Sequence, residues 1–260
     1  MKPLSELTKE AIKNLKLVCF DVDGVTVKKG TDISEVRTSE DTTLTVKTSN
    51  LSNEMRDKML ELKKHFFIAI SSGRSSLYLT KVYSELLWGN AGLISENGIF
   101  TLLEGKLIQH EYFDKGTLQK IRNIVVDLKK IEGVNKDFRA FEPKQFLITL
   151  HAWNDMPEVR EVVKRNDPEG EFYVWWNGEA FDIAPKRLNK GAGLKHLADY
   201  LHLSLEQTMA IGNGPNDKDM IDAAGIGVTT EPKSVQGDYY TTGIGHLGGA
   251  ELIDKLLSLV

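Results

Sequence analysis

Asp21-Val22-Asp23-Gly24 follows directly on an apolar run, Leu15 to Phe20, and sets two carboxylates two residues apart. In an extended chain that spacing puts both on one side. Like charges so close repel, so the pair calls for a cation or a shared proton. A hard dication such as Mg2+ prefers carboxylate and carbonyl oxygens and keeps waters, which leaves places for phosphate. Taken alone, the same residues equally make an Asx turn.

Two further apolar runs stop as abruptly. FFIAI (Phe66 to Ile70) runs into Ser71-Ser72-Gly73-Arg74, and TMAIG (Thr208 to Gly212) into Asn213-Gly214-Pro215-Asn216-Asp217. Ser72 supplies a hydroxyl, Gly73 permits close backbone approach, and the start of a helix there would favour an anion. Lys190, in LNKGAGL, sits at another helix start beside Gly191, where a cation opposes the helix dipole and a compensating anion fits. In open parallel sheets, ligands bind outside the carboxyl ends of the strands. Three strands ending this way would aim their groups at one crevice.

The elements that must position these groups read as an α/β chain. Leu51, Met55, Met59 and Leu62 recur at helical spacing, with Ser52 as N-cap and Glu54 in the first turn. Leu79, Val82 and Leu86 mark a second helix; Leu194, Leu197, Ala198 and Leu201 a later one; residues 250–259 close the chain. TTLTVKT alternates, as a half-exposed strand would, and reads as a flap between the first strand and the first full helix. Between about 100 and 186 the style changes. Two strands joined at Glu104-Gly105, a helix through Leu118 to Leu128, a shorter one near 156–165 and the runs QFLITL, EFYVWW and AFDIA suggest a second, α+β unit. The expected architecture is a Rossmann-like parallel-sheet core, residues 1–98 and 187–260, with a smaller α+β cap inserted at 99–186.

Composition bounds the function. The 260 residues carry 33 Lys+Arg against 37 Asp+Glu, a net charge of −4, with no concentrated basic patch for nucleic acid. One cysteine, Cys19, excludes an internal disulfide framework and a multi-thiolate zinc site. No apolar run reaches the roughly 18–20 residues of a membrane span. The expectation is a soluble, cytoplasmic protein with no nucleic-acid or membrane partner and an oligomeric state left open.

Taken together, these residues resemble the haloacid dehalogenase-like hydrolases in order and spacing. Asp21-Val22-Asp23-Gly24 matches the first motif, Ser72 before Gly73-Arg74 the second, Lys190 the third and GNGPNDKDM the fourth. Ser95-Glu96-Asn97-Gly98 and DIAPKRLNKG look like the entrance and exit of the cap in the sugar-phosphatase branch. The resemblance implies that Asp21 is the nucleophile forming an aspartyl-phosphate. Asp23 would be the acid and base, and Ser72 and Lys190 would hold the phosphoryl group. It places Mg2+ on Asp21, the Asp23 carbonyl, Asn213 and Asp217. Gly73, Arg74, Asn97 and Asn216 fall to substrate binding, and the cap would close over a small phosphorylated metabolite.

The family usually has Asp where this chain has Asn213. An amide oxygen can still ligate, but one negative charge is lost, so weaker metal binding is expected. Asn213→Asp should then lower the Mg2+ needed for half-maximal activity. The reading is a Mg2+-dependent sugar-phosphate phosphatase. Its rivals are a phosphomannomutase-like mutase of the same superfamily, which shares the Asp pair, and a non-catalytic phosphate-binding protein, suggested by Asn213. Gly243-Ile244-Gly245-His246-Leu247-Gly248 imitates a dinucleotide fingerprint, but the chain ends 12 residues later, with no room for the βαβ unit it needs.

Overall fold

The computed structural model describes residues 1–260. The elements in chain order are β1 (Lys2–Pro3), β2 (Leu17–Asp21), β3 (Thr31–Arg37), β4 (Thr42–Thr48), α1 (Asn53–Leu62), β5 (Phe67–Ser71), α2 (Ser76–Val82) and β6 (Ala91–Ser95). There follow β7 (Phe100–Leu103), β8 (Lys106–Gln109), α3 (Lys115–Lys129), β9 (Phe138–Glu142), β10 (Ile148–Ala152), α4 (Pro157–Asn166), β11 (Phe172–Trp176) and β12 (Ala180–Pro185). The chain closes with α5 (Lys190–Tyr200), β13 (Thr208–Gly212), α6 (Lys218–Ala223), β14 (Ile226–Thr229), β15 (Tyr239–Tyr240) and α7 (His246–Leu257). Two compact units result: Met1–Lys29, Asn50–His110 and Leu188–Val260 form one, Gly30–Ser49 and Glu111–Arg187 the other.

The larger unit is built on a nine-stranded sheet in the order β1-β15-β14-β13-β2-β5-β6-β7-β8. Pairing is parallel from β1 to β6 and antiparallel through β7 and β8. The central strands are buried on both faces, so LVCF and IAI read as unbroken apolar runs rather than alternating ones. Ser52 caps α1 by accepting from the Met55 N–H at 3.1 Å. That explains the hydroxyl in Asn50-Leu51-Ser52, while Met55, Met59 and Leu62 line the buried stripe. The sequence places the 100–109 hairpin in the inserted unit; it instead continues the main sheet, because Gly92 to Ser95 pair with Phe100 to Leu103. The flap β3–β4 groups with the inserted unit.

That smaller unit has a four-stranded antiparallel sheet, β11-β12-β10-β9. Ile148, Leu150, Phe172, Phe181 and Ile183 from its strands bury against Ile121, Ile124 and Leu128 of α3 and Val159, Val162 and Val163 of α4. Off this apolar core lies a separate buried polar set. Lys144 donates to Thr149 at 2.5 Å, Thr149 donates to Asp182, and His151 Nε2 lies 3.1 Å from Glu142. Trp176 packs on Phe181, ring centroids 4.7 Å apart.

Gly248, the last glycine of the fingerprint-like run, and its neighbour Gly249 have a packing reason. A Cβ built on Gly249, in the first turn of α7, would lie 2.0 Å from the Val25 carbonyl oxygen, and one on Gly248 would meet Thr241 Oγ1 at 2.4 Å. Backbone therefore lies directly on backbone where α7 supports the loop after β2. Gly249→Ala should cost several kcal/mol, on the order of a core overpacking substitution or more. Thermal melting checks it; an unchanged Tm would show that this contact does not constrain the loop.

Candidate active site

The sheet order β13-β2-β5 makes three of the singled-out loops neighbours at one sheet edge. Asp21 pairs with Ser71, and Phe20 with Ile211, so Asp21–Gly24, Ser72–Arg74 and Asn213–Asp217 all leave adjacent strands at their carboxyl ends. Beyond Asp21 the chain turns at once: the N–H groups of Val25, Thr26 and Val27 all reach the Val22 carbonyl at 3.0–3.2 Å. Gly24 takes φ +84°, a left-handed value that other residues adopt at a cost. Thr26 fixes the turn from beneath. Its hydroxyl lies 3.1 Å from the Asp21 carbonyl and 2.6 Å from the hydroxyl of fully buried Tyr83.

Lys190 enters from the first position of α5, whose N-cap Asn189 accepts from the Ala192 N–H at 2.8 Å. The helix is held close by glycines. A Cβ on Gly191 would sit 2.4 Å from the Asp219 carbonyl oxygen, and one on Gly193 2.6 Å from the Gly98 Cα. So placed, the Lys190 ammonium is 1% exposed and bonds Asp21 Oδ1 at 2.5 Å and Asp217 Oδ1 at 2.6 Å. Burial alone would lower its pKa. The two carboxylates more than offset this and hold it above its ordinary value. Asp21 responds oppositely: burial, then the nearby Asp217 charge, push its carboxyl from 3.8 up to about 7 against the pull of Lys190.

The other residues divide clearly. Arg74 grips both oxygens of Asp23, Nε at 3.1 Å and a terminal nitrogen at 3.0 Å, and its backbone N–H donates to Ser72 Oγ at 3.2 Å. Ser72 does not cap a helix: α2 begins at Ser76, and Ser75 is the cap. Asn97 stands in the turn after β6 with φ +54°, its N–H donating to the Ser72 carbonyl at 3.0 Å. Asp217 spends its second oxygen on the N–H groups of Asn213 (2.8 Å) and Gly214 (3.0 Å), so both oxygens are engaged by protein. Asn213 donates its amide N–H to the Asp23 carbonyl at 2.8 Å. Gly73 and Asn216 are half-buried, and no hydrogen bond joins Asn216 to Lys190.

Thr26, Tyr83 and the Arg74–Asp23 clamp are absent from the sequence reading. Nothing in their spacing marks them, since each partner comes from a different part of the chain. Cys19 is fully buried and burial pushes its thiol well up, as a packing residue requires. A cluster elsewhere, Asp167, Glu169 and Glu171 in the smaller unit, converges on the Lys120 ammonium and is an ion-pair group.

The donors suit a hard cation. Asp21 and the Asp23 carbonyl supply oxygen, and the Asp21 pKa is raised first by burial and then by the Asp217 charge, so a cation beside it would favour the carboxylate.

The chain matches the haloacid dehalogenase-like hydrolase model over residues 36–141 and 129–233, and it belongs to that family. It is an enzyme of the phosphatase kind. The phosphoglycolate phosphatase of Methanopyrus kandleri is 27% identical over 201 residues, 76% of this chain and 81% of that one. That of Methanothermobacter thermautotrophicus is 29% identical over 180 residues, 67% and 76% of the two chains. In fold, the chain is similar to the C-terminal domain of Candida albicans trehalose-6-phosphate phosphatase. The TM-score is 0.68 at 18% identity, covering 100% of this chain and 98% of that one. No helix is long and apolar enough to cross a membrane.

The Asp21 shift has a sign that stability must show. A carboxyl whose folded pKa lies above its unfolded one loses stability as pH rises through that interval, here from near 4 to about 7. Without dications, the parent should therefore lose stability between pH 4.5 and pH 8 relative to Asp21→Asn, which lacks that titration, whatever the offset from the lost Lys190 contact. Parallel pH profiles of Tm for the two proteins would mean that the Asp21 pKa is not raised on folding.

Proposed function

We propose that the chain is a Mg2+-dependent phosphatase of small phosphorylated metabolites, sugar phosphates first among them, working through an aspartyl-phosphate on Asp21. The observation that carries this is the buried Lys190 ammonium joining Asp21 to Asp217 at the carboxyl edge of the sheet. It holds the Asp21 carboxylate still and offers positive charge where phosphoryl oxygens would gather.

Mg2+ would be held by Asp21 and the Asp23 carbonyl, and when bound it would neutralise phosphoryl charge. Asp21 attacks phosphorus, and Asp23, once released from the Arg74 fork and protonated from solvent, gives that proton to the departing alcohol oxygen. Asp23 then takes a proton from the water that attacks the phosphoenzyme. Its resting partner is Arg74, whose fork fixes both carboxylate oxygens and so orients the group before substrate arrives. Ser72 and Lys190 bind the transferring group. Asp217, with both oxygens committed, anchors Lys190 and the Asn213 loop, and is here a positioning residue rather than a metal ligand. Choice of leaving group falls to the inserted unit. The curated relatives named above act on phosphoglycolate, which makes that compound the first comparison for a sugar phosphate.

The test is phosphate release from a panel of sugar phosphates, phosphoglycolate and p-nitrophenyl phosphate, with Mg2+ or with chelator. Release with Mg2+ alone, lost in Asp21→Asn and lowered about 10²–10⁴-fold in Asp23→Asn, is the expected result. Isomerised sugar phosphate without net release would replace it by a mutase, and binding without turnover by a non-catalytic protein.

A further inference from the structure

In the structure it is the nitrogen of the Asn213 amide, and not its oxygen, that meets the Asp23 carbonyl, at 2.8 Å. Three constraints hold the amide in place, and the Asp23 carbonyl as acceptor then selects its nitrogen end. The Asn213 backbone is tied down on its far side, its N–H donating to Asp217 Oδ2 at 2.8 Å. The side chain is buried, 5% exposed. And the amide nitrogen lies over Gly24, where a Cβ would come within 2.4 Å of it. Turning the amide over would set two carbonyl-type oxygens against each other at hydrogen-bond distance, which is repulsive unless a cation lies between them. So Gly24 does more than permit the left-handed turn: it leaves room for an N–H donor beside the carbonyl that the proposed function gives to Mg2+.

We propose that Asn213 is a built-in stand-in for the cation rather than one of its ligands. Its N–H satisfies the Asp23 carbonyl and ties the β2 loop to the β13 loop when no dication is bound, and a dication must compete with it. A carboxylate at this position would do the reverse. It would add a fourth negative group to Asp21, Asp23 and Asp217, leave the Asp23 carbonyl without a donor, and make the loop pair depend on the cation. The proposal rests on the metal assignment above and is opposite in sign to the expectation that the amide oxygen ligates.

The experiment reads binding and melting, not turnover. Mg2+ dissociation constants come from calorimetry, and Tm is measured in chelator and in Mg2+, for the parent, Asn213→Ala and Asn213→Asp. If Asn213 stands in for the cation, Asn213→Ala binds Mg2+ as tightly as the parent or up to about tenfold tighter. Both variants then melt below the parent in chelator. Asn213→Asp binds at least tenfold tighter and gains the most Tm from Mg2+. Tenfold or greater weakening in Asn213→Ala would make the amide oxygen a ligand and overturn the proposal. Parental melting of both variants in chelator would overturn it too, since no tie would then be lost. Should the parent bind no Mg2+ at all while releasing phosphate in chelator, the metal assignment itself fails and this proposal with it.

Discussion

A lysine ammonium shut away from water between two carboxylates governs this structure. Burying three charges costs several kcal/mol each, and mutual attraction repays that only with close geometry and every donor or acceptor used. Lys190 has the close geometry, at 2.5 and 2.6 Å, with two of its three donors used, and the remaining oxygen of Asp217 takes two backbone N–H groups. The three partners arrive from β2, the start of α5 and the loop after β13. None can shift without leaving a buried charge unmatched, so the ion triad constrains the spacing of the loops. Asp21 is the one member left unsatisfied: burial and Asp217 push it up to about 7. A carboxylate whose charge the fold only partly compensates is a local destabilisation of the kind retained at working sites.

Such spacing needs backbones in direct contact, which explains where the glycines fall. Gly191 and Gly193 bring α5 onto Asp219 and Gly98, and Gly249 brings α7 onto Val25. Each would drive a Cβ within 3 Å of a neighbouring backbone atom. Thr26 and Tyr83 complete the support from below. The loops after β2 and β13 are thus held by main-chain contact at the glycines together with the Lys190, Arg74–Asp23 and Thr26–Tyr83 side-chain contacts.

Much of this was legible because the central strands are short apolar runs that stop at polar residues. Asp21, Asp23, Ser72, Lys190, Asn213 and Asp217 could be brought together from that pattern and from the family's motif order. Other features have no one-dimensional trace. The strand β9 went unread because a bulge at Arg139 pairs Ala140 with His151 but Phe138 with Ala152. Both Phe138 and Phe141 then turn to the core, and the period of two is lost. The 100–109 hairpin was misplaced because an amphipathic pair of strands does not say which sheet it will extend. Residues 83–87 keep apolar spacing after α2 has ended at Val82, since Leu86 is buried from a turn and not from a helix.

Charge then decides how the site can take a phosphate group. Around it stand the carboxylates of Asp21, Asp23 and Asp217, with buried Glu96 in the turn after β6, against two permanent cations, Lys190 and Arg74, and both cations are already paired. Acidic groups therefore outnumber cations before any substrate arrives. A phosphate monoester adds nearly two more at neutral pH, and in a buried site each uncompensated charge is costly. Protonating Asp21 would relieve this, but a protonated carboxyl cannot attack phosphorus. On the proposed function, a dication held by Asp21 and the Asp23 carbonyl would relieve it while leaving Asp21 ionised. On the same proposal, the burial and acidic neighbours that raise the Asp21 pKa in the protein alone would favour joint entry of metal and phosphate.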